Sequence, residues 1–431
     1  MTPDDLDRVT DSFTTFHAYF APLFGRIEAG QRSEQYLRGL LVPRAERRNA
    51  ENLAEAISGA TPRTLQRFLT EAPWAHRPVL AALSAFLGSR LSSPDGVFIF
   101  DETAAAKQGT HSVGVARQYS GTLGKVGNCQ VGVYLAYAAE RGHALLDGDL
   151  YLPQEWLIDA RRCRTAGVPP DVAFHTKGDL ALALLRRAQQ GGHLQGHWVT
   201  GDAVYGSDSG LRDGVEQAGC YYVFEVRSTE RVFTSRPATA VPAWAGHGRK
   251  PQRVRRVPGS AAPQPVAGVA SRVPVGAWRT LTVADGAQGP RRYQFYRCRV
   301  WECRADLPGR ECWLLLRRKL DGTDLKYCLS NAPVTTPLLK LGQVGATRWN
   351  IETEFELTKG EAGLVEYEVR SWTGWYHHMT MALLAGAFLL QMQQEWGEKD
   401  APDHAPASEP GGAGVIAPAA VDARGVDWLA A

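Results

Sequence analysis

The spacing of apolar residues changes near position 96, and that change restricts the chain to a helical part followed by a mixed one. Up to about residue 92 apolar side chains recur at helical intervals, as in Phe13, Phe16, Tyr19, Phe20, Leu23 and Phe24, with few β-branched runs. A helical bundle is expected there. From Gly96 short β-type runs separated by turns take over. Gly96 to Asp101, Asn128 to Tyr137 and Ala144 to Leu152 read as strands of a meander. Lys177 to Gln190 follows as an amphipathic helix, His197 to Asp202 as a strand, Leu211 to Gln217 as a helix and Cys220 to Val226 as a strand.

The order β-β-β-α-β-α-β is that of a ribonuclease-H-like domain, so the expected fold class is α/β. Five segments follow: a helical, candidate DNA-binding domain over 1–92, a first part of the ribonuclease-H-like core over 93–226, a mostly β insertion over 227–330, the remainder of the catalytic core over 331–398, and a disordered tail over 399–431 rich in Ala, Pro and Gly. In the insertion, Pro and Gly cluster from Pro237 to Pro274, which predicts a mobile front half. Strands are expected through Trp278 to Val283, Arg292 to Cys303 and Glu311 to Arg317. In the helical domain, Asn49 to Ile57, a Ser58-Gly59-Ala60 turn and Thr61 to Leu69 read as helix, turn, helix, with Thr61 as N-cap and Pro62 at the first helical position. Arg63, Thr64 and Arg67 would occupy the part of the second helix that a helix-turn-helix inserts into a groove. A plain helical hairpin fits the same spacing.

A formal charge of +3 conceals an imbalance. From Tyr221 to Ser330, 20 Lys and Arg stand against 8 Asp and Glu, an excess of +12, so the other residues carry −9. Arg249-Lys250, Arg255-Arg256, Arg291-Arg292 and Arg317-Arg318-Lys319 are interleaved with Trp244, Trp278, Tyr293, Tyr296, Trp301 and Trp313. Such a pattern suits phosphate neutralisation and base stacking, and it equally suits a solvated sheet face over core aromatics. The longest apolar run, Met379 to Met392, is shorter than the roughly 20 residues a membrane helix needs, so it is read as a buried helix and no membrane partner is expected. The acidic N-terminus lacks a signal-peptide pattern, and seven Cys without a Cys-x-x-Cys pair fit a reducing compartment. A cytoplasmic protein without structural zinc is expected.

Three carboxylates carry the chemistry. Asp101 ends one predicted strand, Asp202 ends another, and Glu352 lies on a helix begun after the insertion. Singly, each has an ordinary role as a turn cap or a solvated helix residue. In the proposed fold the first and fourth strands are neighbours and the last helix crosses their ends, so the three are expected to share one cleft. Hard oxygen ligands gathered there suit two Mg²⁺ (or Mn²⁺) ions and phosphoryl transfer on nucleic acid. Arg348, Glu352 and Lys359 fall at spacings of four and seven, which on one continuous helix gives a common face. A surface Arg–Glu ion pair is the plainer alternative. His377 and His378 are read as core or surface histidines, with a phosphate contact as the other possibility.

The segment Arg348-x-x-x-Glu352-x-x-x-x-x-x-Lys359 resembles the Arg-Glu-Lys part of the Tyr-Arg-Glu-Lys signature of bacterial insertion-sequence DDE transposases. The flanks Arg348-Trp-Asn-Ile-Glu352, Lys359-Gly-Glu-Ala-Gly-Leu364 and Tyr367 to Trp375 are similar to the insertion sequence 701 group, as are Phe100 to Thr103, Lys107, Ser112 to Gln130 and Val199 to Gly206. The resemblance spans about residues 10 to 395. It implies a DNA transposase that binds the terminal inverted repeats of its element, cleaves the ends and joins them to target DNA. It also implies metal binding by Asp101, Asp202 and Glu352, phosphate positioning by Arg348 and Lys359, and a dimer on double-stranded DNA in the bacterial cytoplasm. A nuclease without strand transfer and a domesticated, non-cleaving DNA-binding protein are the alternatives. The signature Tyr position is taken by Gly345, so a phosphate contact made by that Tyr is expected to be either missing or supplied elsewhere, with Tyr367 and Tyr376 as the candidates.

Overall fold

The helical periodicity of the first ninety residues is realised as five α-helices in the computed structural model, which describes residues 2–42, 48–121, 124–244, 246–284 and 289–397. The tail expected to be disordered, 399–431, lies outside the described residues. Helix α1 (Pro3–Phe20) starts at a Thr2/Asp5 capping box and buries Val9, Phe13, Phe16 and Phe20. Helices α2 (Ile27–Leu41), α3 (Ala50–Ala56), α4 (Pro62–Thr70) and α5 (His76–Leu91) follow. Thr61 caps α4 through a reciprocal bond with Thr64, and Pro62 stands in its first turn, as its sequence predicts. Arg63 and Arg67 are exposed, the latter paired with Glu71 at 2.8 Å.

The chain divides into two compact units, one made of residues up to Gly196 together with those from Trp349 onward, the other of His197–Arg348. In the first unit β1 (Val97–Ala106), β3 (Lys125–Ala139) and β4 (Gly142–Tyr151) form the expected antiparallel meander. Two details differ from the sequence reading. A short strand β2 (Ala116–Ser120) pairs with the start of β3. Moreover, β1 does not end at Asp101: its ladder with β3 continues to Ala106↔Cys129, because Thr103, Ala104 and Ala105 are buried despite their weak strand signal. Helices α6 (Gln154–Ile158), α7 (Ala160–Thr165) and α8 (Lys177–Gly191) complete this stretch.

The second unit begins with β5 (Trp198–Gly201), α9 (Ala203–Gly206), α10 (Ser209–Gln217) and β6 (Tyr221–Val226). There follow β7 (Arg231–Phe233), β8 (Thr239–Ala240), β9 (Arg255–Arg256), β10 (Gln264–Pro265), α11 (Val266–Ala270), β11 (Arg279–Ala284), β12 (Arg291–Arg304), β13 (Leu307–Arg318), β14 (Lys326–Ser330) and α12 (Leu338–Thr347). Its sheet runs in the order β10-β7-β12-β13-β14-β6-β5, with β11 beside β12. The β5–β6 pair is parallel, as a helical crossover allows. The β-rich segment after Val226 is therefore continuous with β5 and β6 through β14, a strand absent from the sequence reading. The chain is mixed α/β with a large, mostly β sheet.

The first unit resumes with α13 (Trp349–Glu361) and α14 (Trp372–Gly397). Helix α14 carries the long apolar run and is buried, touching β4, α2, α4, α5 and α13. No helix among the described residues is long and apolar enough to cross a membrane. Its polar residues find internal partners. His377 Nε2 lies 3.0 Å from the Trp74 carbonyl, while His378 bridges the Tyr36 hydroxyl at 2.8 Å and the Gly363 carbonyl at 3.0 Å. Both histidines belong to the core, not to a phosphate contact.

Burial holds His377 down to about 4 and His378 to about 3, below their ordinary 6.5. As pH falls below 6.5 the unfolded chain takes up protons that the fold refuses, so stability is lost from pH 6.5 down to these values. Denaturant midpoints measured from pH 7 to pH 4 should fall, and His378→Gln should flatten the decline by up to ~1.4 kcal/mol per pH unit. An unchanged pH dependence in that variant would show that His378 titrates normally.

Candidate active site

Asp101 sits half-buried in the middle of β1, directly opposite Tyr134 of β3. Its Oδ1 accepts a hydrogen bond from the Glu102 amide at 2.8 Å. The Tyr134 ring fits a slot cleared by two glycines: a Cβ at Gly132 or at Gly148 would come within 2.7 Å of it. Phe355 of α13 meets that ring edge to face at 5.4 Å, which docks α13 on the meander beside the Asp101 position.

Helix α13 buries Ile351, Glu354, Phe355 and Thr358. Glu352 and Lys359 lie on its flank, partly buried and two turns apart, so they share one stripe as expected. The Lys359 ammonium lies 5.4 Å from the centroid of the Phe355 ring. Burial lowers its pKa from the usual lysine value, while the nearby carboxylates of Asp101 and Glu356 act in the opposite direction. The Asp101 carboxylate is thus near enough to favour the charged form of Lys359. Glu102 alternates to the other side of the strand, where its Oε1 accepts from Lys177 Nζ at 2.7 Å.

In the second unit Asp202 follows β5 directly and caps α9, accepting from the Val204 amide at 2.8 Å. Gly201 is in register with Phe224 of β6, which puts Asp202 beside the Glu225 position at the carboxyl ends of two parallel strands. Helix α9 approaches β6 so closely that a Cβ at Gly206 would overlap the Glu225 carbonyl oxygen. Arg348 is the C-cap of α12, and its Nε lies 3.4 Å from Glu225 Oε1. Helix α12 stops at Thr347 and α13 starts at Trp349, and the Arg348 backbone between them keeps right-handed helical angles.

The expected substitutes for the signature tyrosine are both core residues. Tyr367 is buried, its hydroxyl 3.2 Å from Gln130 Oε1 and 3.0 Å from the Trp375 indole nitrogen, with the Lys107 ammonium 3.5 Å from the ring centroid. Tyr376 donates to Asp149 at 3.3 Å. Neither offers a hydroxyl to DNA. At Gly345 a Cβ would meet Val223 at an ordinary 3.4 Å.

Sequence reasoning passed over two buried polar clusters in the first unit. His143 Nδ1 pairs with Glu354 Oε2 at 2.9 Å under α13, and Arg77 and Arg187 together hold Asp147 and Asp149. The charges come from separate elements, so no spacing along the chain announces them. Glu354 lies two residues beyond Glu352 but is committed to the core, whereas Glu352 and Glu356 lie on the flank of α13 that carries Lys359.

Among the described residues no three His, Cys, Asp or Glu side chains are gathered closely enough to hold a metal ion. The donor types nevertheless fit one: Asp101, Asp202 and Glu352 supply hard oxygens of the kind Mg²⁺ and Mn²⁺ take.

The family of DDE superfamily endonucleases matches residues 19–290, more than half of the chain, and the protein belongs to it. The match includes Asp101 and Asp202 and ends before Glu352. More particularly, the chain is similar to a probable transposase for insertion sequence element IS701 from Microchaete diplosiphon. The two are 25% identical over 201 residues, 46% of this chain and 49% of that protein, so the chain spans about half the length of this relative. The resemblance to insertion-sequence DDE transposases is borne out. The piggyBac transposase synaptic complex with hairpin DNA, seen by cryo-EM, aligns over 85% of this chain and 65% of its own at 11% identity. Its TM-score of 0.39 is too low to argue from.

If Asp101 is a metal ligand and Glu102 a structural partner of Lys177, Asp101→Asn should abolish Mg²⁺-dependent DNA cleavage while Glu102→Gln retains it. Gel assays of both variants decide the matter, and the reverse pattern would move the ligand to Glu102.

Proposed function

We propose that this protein is a DNA transposase with a ribonuclease-H-like core, which cuts the terminal inverted repeats of an insertion sequence and joins them to target DNA. The observation that carries the reading is the docking of α13 on β1 and β3, with Lys359 and Glu352 on one stripe of that helix, in a DDE superfamily endonuclease. An antiparallel meander followed by α8, β5, two helices and a parallel β6 supports the core assignment.

In this reading Asp101, Asp202 and Glu352 hold two Mg²⁺ or Mn²⁺ ions, which when bound activate the attacking oxygen and stabilise the leaving one. Lys359 faces the scissile phosphate, and Arg348, tethered by Glu225, orients it. A basic surface supplies the grip on duplex DNA: Arg249, Lys250, Arg253 and Arg255 are all exposed, as is Trp244. Two chains on paired ends, acting in the cytoplasm on nucleoid DNA, complete the proposal.

The test uses the inverted repeats that flank the gene as substrate. Wild-type protein with Mg²⁺ should cut and join them. Glu352→Gln and Lys359→Ala should each lose cleavage by orders of magnitude while binding persists. Cleavage without joining would instead favour a plain nuclease. Because the β-rich segment shares a sheet with β5 and β6, its deletion would damage the unit, so the surface test uses substitutions. Changing Arg249, Lys250, Arg253 and Arg255 together to Gln should flatten the slope of log affinity against log salt by about 0.9 for each phosphate no longer neutralised. An unchanged slope would move the grip to the N-terminal helices.

A further inference from the structure

The second unit contains an arrangement that its own stability does not call for. Arg317 of β13 and Lys326 of β14 are directly opposite each other in the antiparallel ladder, and like charges in that relation destabilise a sheet. A single carboxylate answers them. Glu225 of β6 lies 4.0 Å from Arg317 Nη2, 3.9 Å from Lys326 Nζ and 3.4 Å from Arg348 Nε. The Arg317 and Lys326 separations exceed those of charge-assisted hydrogen bonds, roughly 2.7–2.9 Å, so Glu225 gathers these cations without saturating the donors of those two. Glu225 is 13% exposed and Lys326 40%, which leaves the cluster open to solvent on the lysine side. The Tyr293 ring, its centroid 4.9 Å from the Arg317 guanidinium, steadies that side chain from the neighbouring strand.

The place of the cluster matters as much as its charge. Glu225 is next in register to Asp202, at the carboxyl ends of the parallel strands β5 and β6. An anion bound by these cations therefore lies beside one of the proposed metal ligands.

We infer that Arg317, Lys326 and Arg348 form a seat for a DNA backbone phosphate next to Asp202, with Glu225 as the positioning carboxylate that holds the cations together. The inference deepens the transposase reading and rests on it. It adds Arg317 and Lys326, from the β-rich segment, to the groups that locate DNA at the site.

The experiment measures affinity of the full chain for a short duplex DNA of arbitrary sequence across a salt series. Lys326→Gln and Arg317→Gln should each weaken binding and lower the magnitude of the salt slope by up to about 0.9, the equivalent of one phosphate left unneutralised. Lys319→Gln, the same change of charge at an exposed position a few residues away, serves as the control and should leave the slope near wild type. Should Arg317→Gln fold poorly for want of its packing on Tyr293, Lys326→Gln still decides, since its side chain is solvent-accessible. A Lys326 variant indistinguishable from the Lys319 variant overturns the seat while leaving the transposase reading intact. Failure of the wild-type protein to bind DNA at any salt concentration overturns both.

Discussion

The first unit depends on the burial of α14. Its apolar surface is enclosed by β4 and by α2, α4, α5 and α13, so the helices on either side of the sheet sequence share one core with it. Burial at that scale is the dominant favourable contribution to folding, and every polar group taken inside must then find a partner. The ring of Trp74 stacks on His377 at 3.7 Å, Tyr36 and Gly363 hold His378, and Asp149 accepts from Tyr376. Helix α13 is backed by α14 and pressed on the meander, where Phe355 finds Tyr134. Glu352 and Lys359 owe their positions to that packing.

Electrostatics explains why cations accompany each carboxylate. Ionised acids brought together repel, and each raises the pKa of the next unless positive charge intervenes. Lys359 supplies such a charge to Asp101, Lys177 to Glu102, and Arg348 with Arg317 and Lys326 to Glu225. Much of the basic excess in the middle of the sequence is also consumed internally. Arg304 pairs with Glu302, Arg310 with Glu216, and Arg297 and Arg299 lie over Trp313. The exposed remainder, including Arg249 to Arg255, is what a polyanion can meet.

The elements that were legible in the sequence are those with strong local signals. The Thr61-Pro62 helix start, the Lys177 helix, the three meander strands and Asp202 at the end of β5 follow from capping, periodicity and β-branched runs. What escaped notice depended on long-range pairing. The Ala104 and Ala105 end of β1 has weak strand propensity and is fixed by its partners on β3. Strand β14 is short and carries little local signal, yet it pairs with both β13 and β6. Likewise, the pairing of Arg348 with Glu225, far away in sequence, has no local signal. The pairing of His143 with Glu354 had no signature at all.

We propose that Asp101, Asp202 and Glu352 are ligands of the same metal ions. Electron paramagnetic resonance titration of Mn²⁺ into the full chain bound to DNA tests it without reliance on cleavage. The account predicts about two bound ions per chain and loss of binding in each of Asp101→Asn, Asp202→Asn and Glu352→Gln. Wild-type Mn²⁺ binding in the Asp202→Asn variant, with the other two impaired, would contradict it.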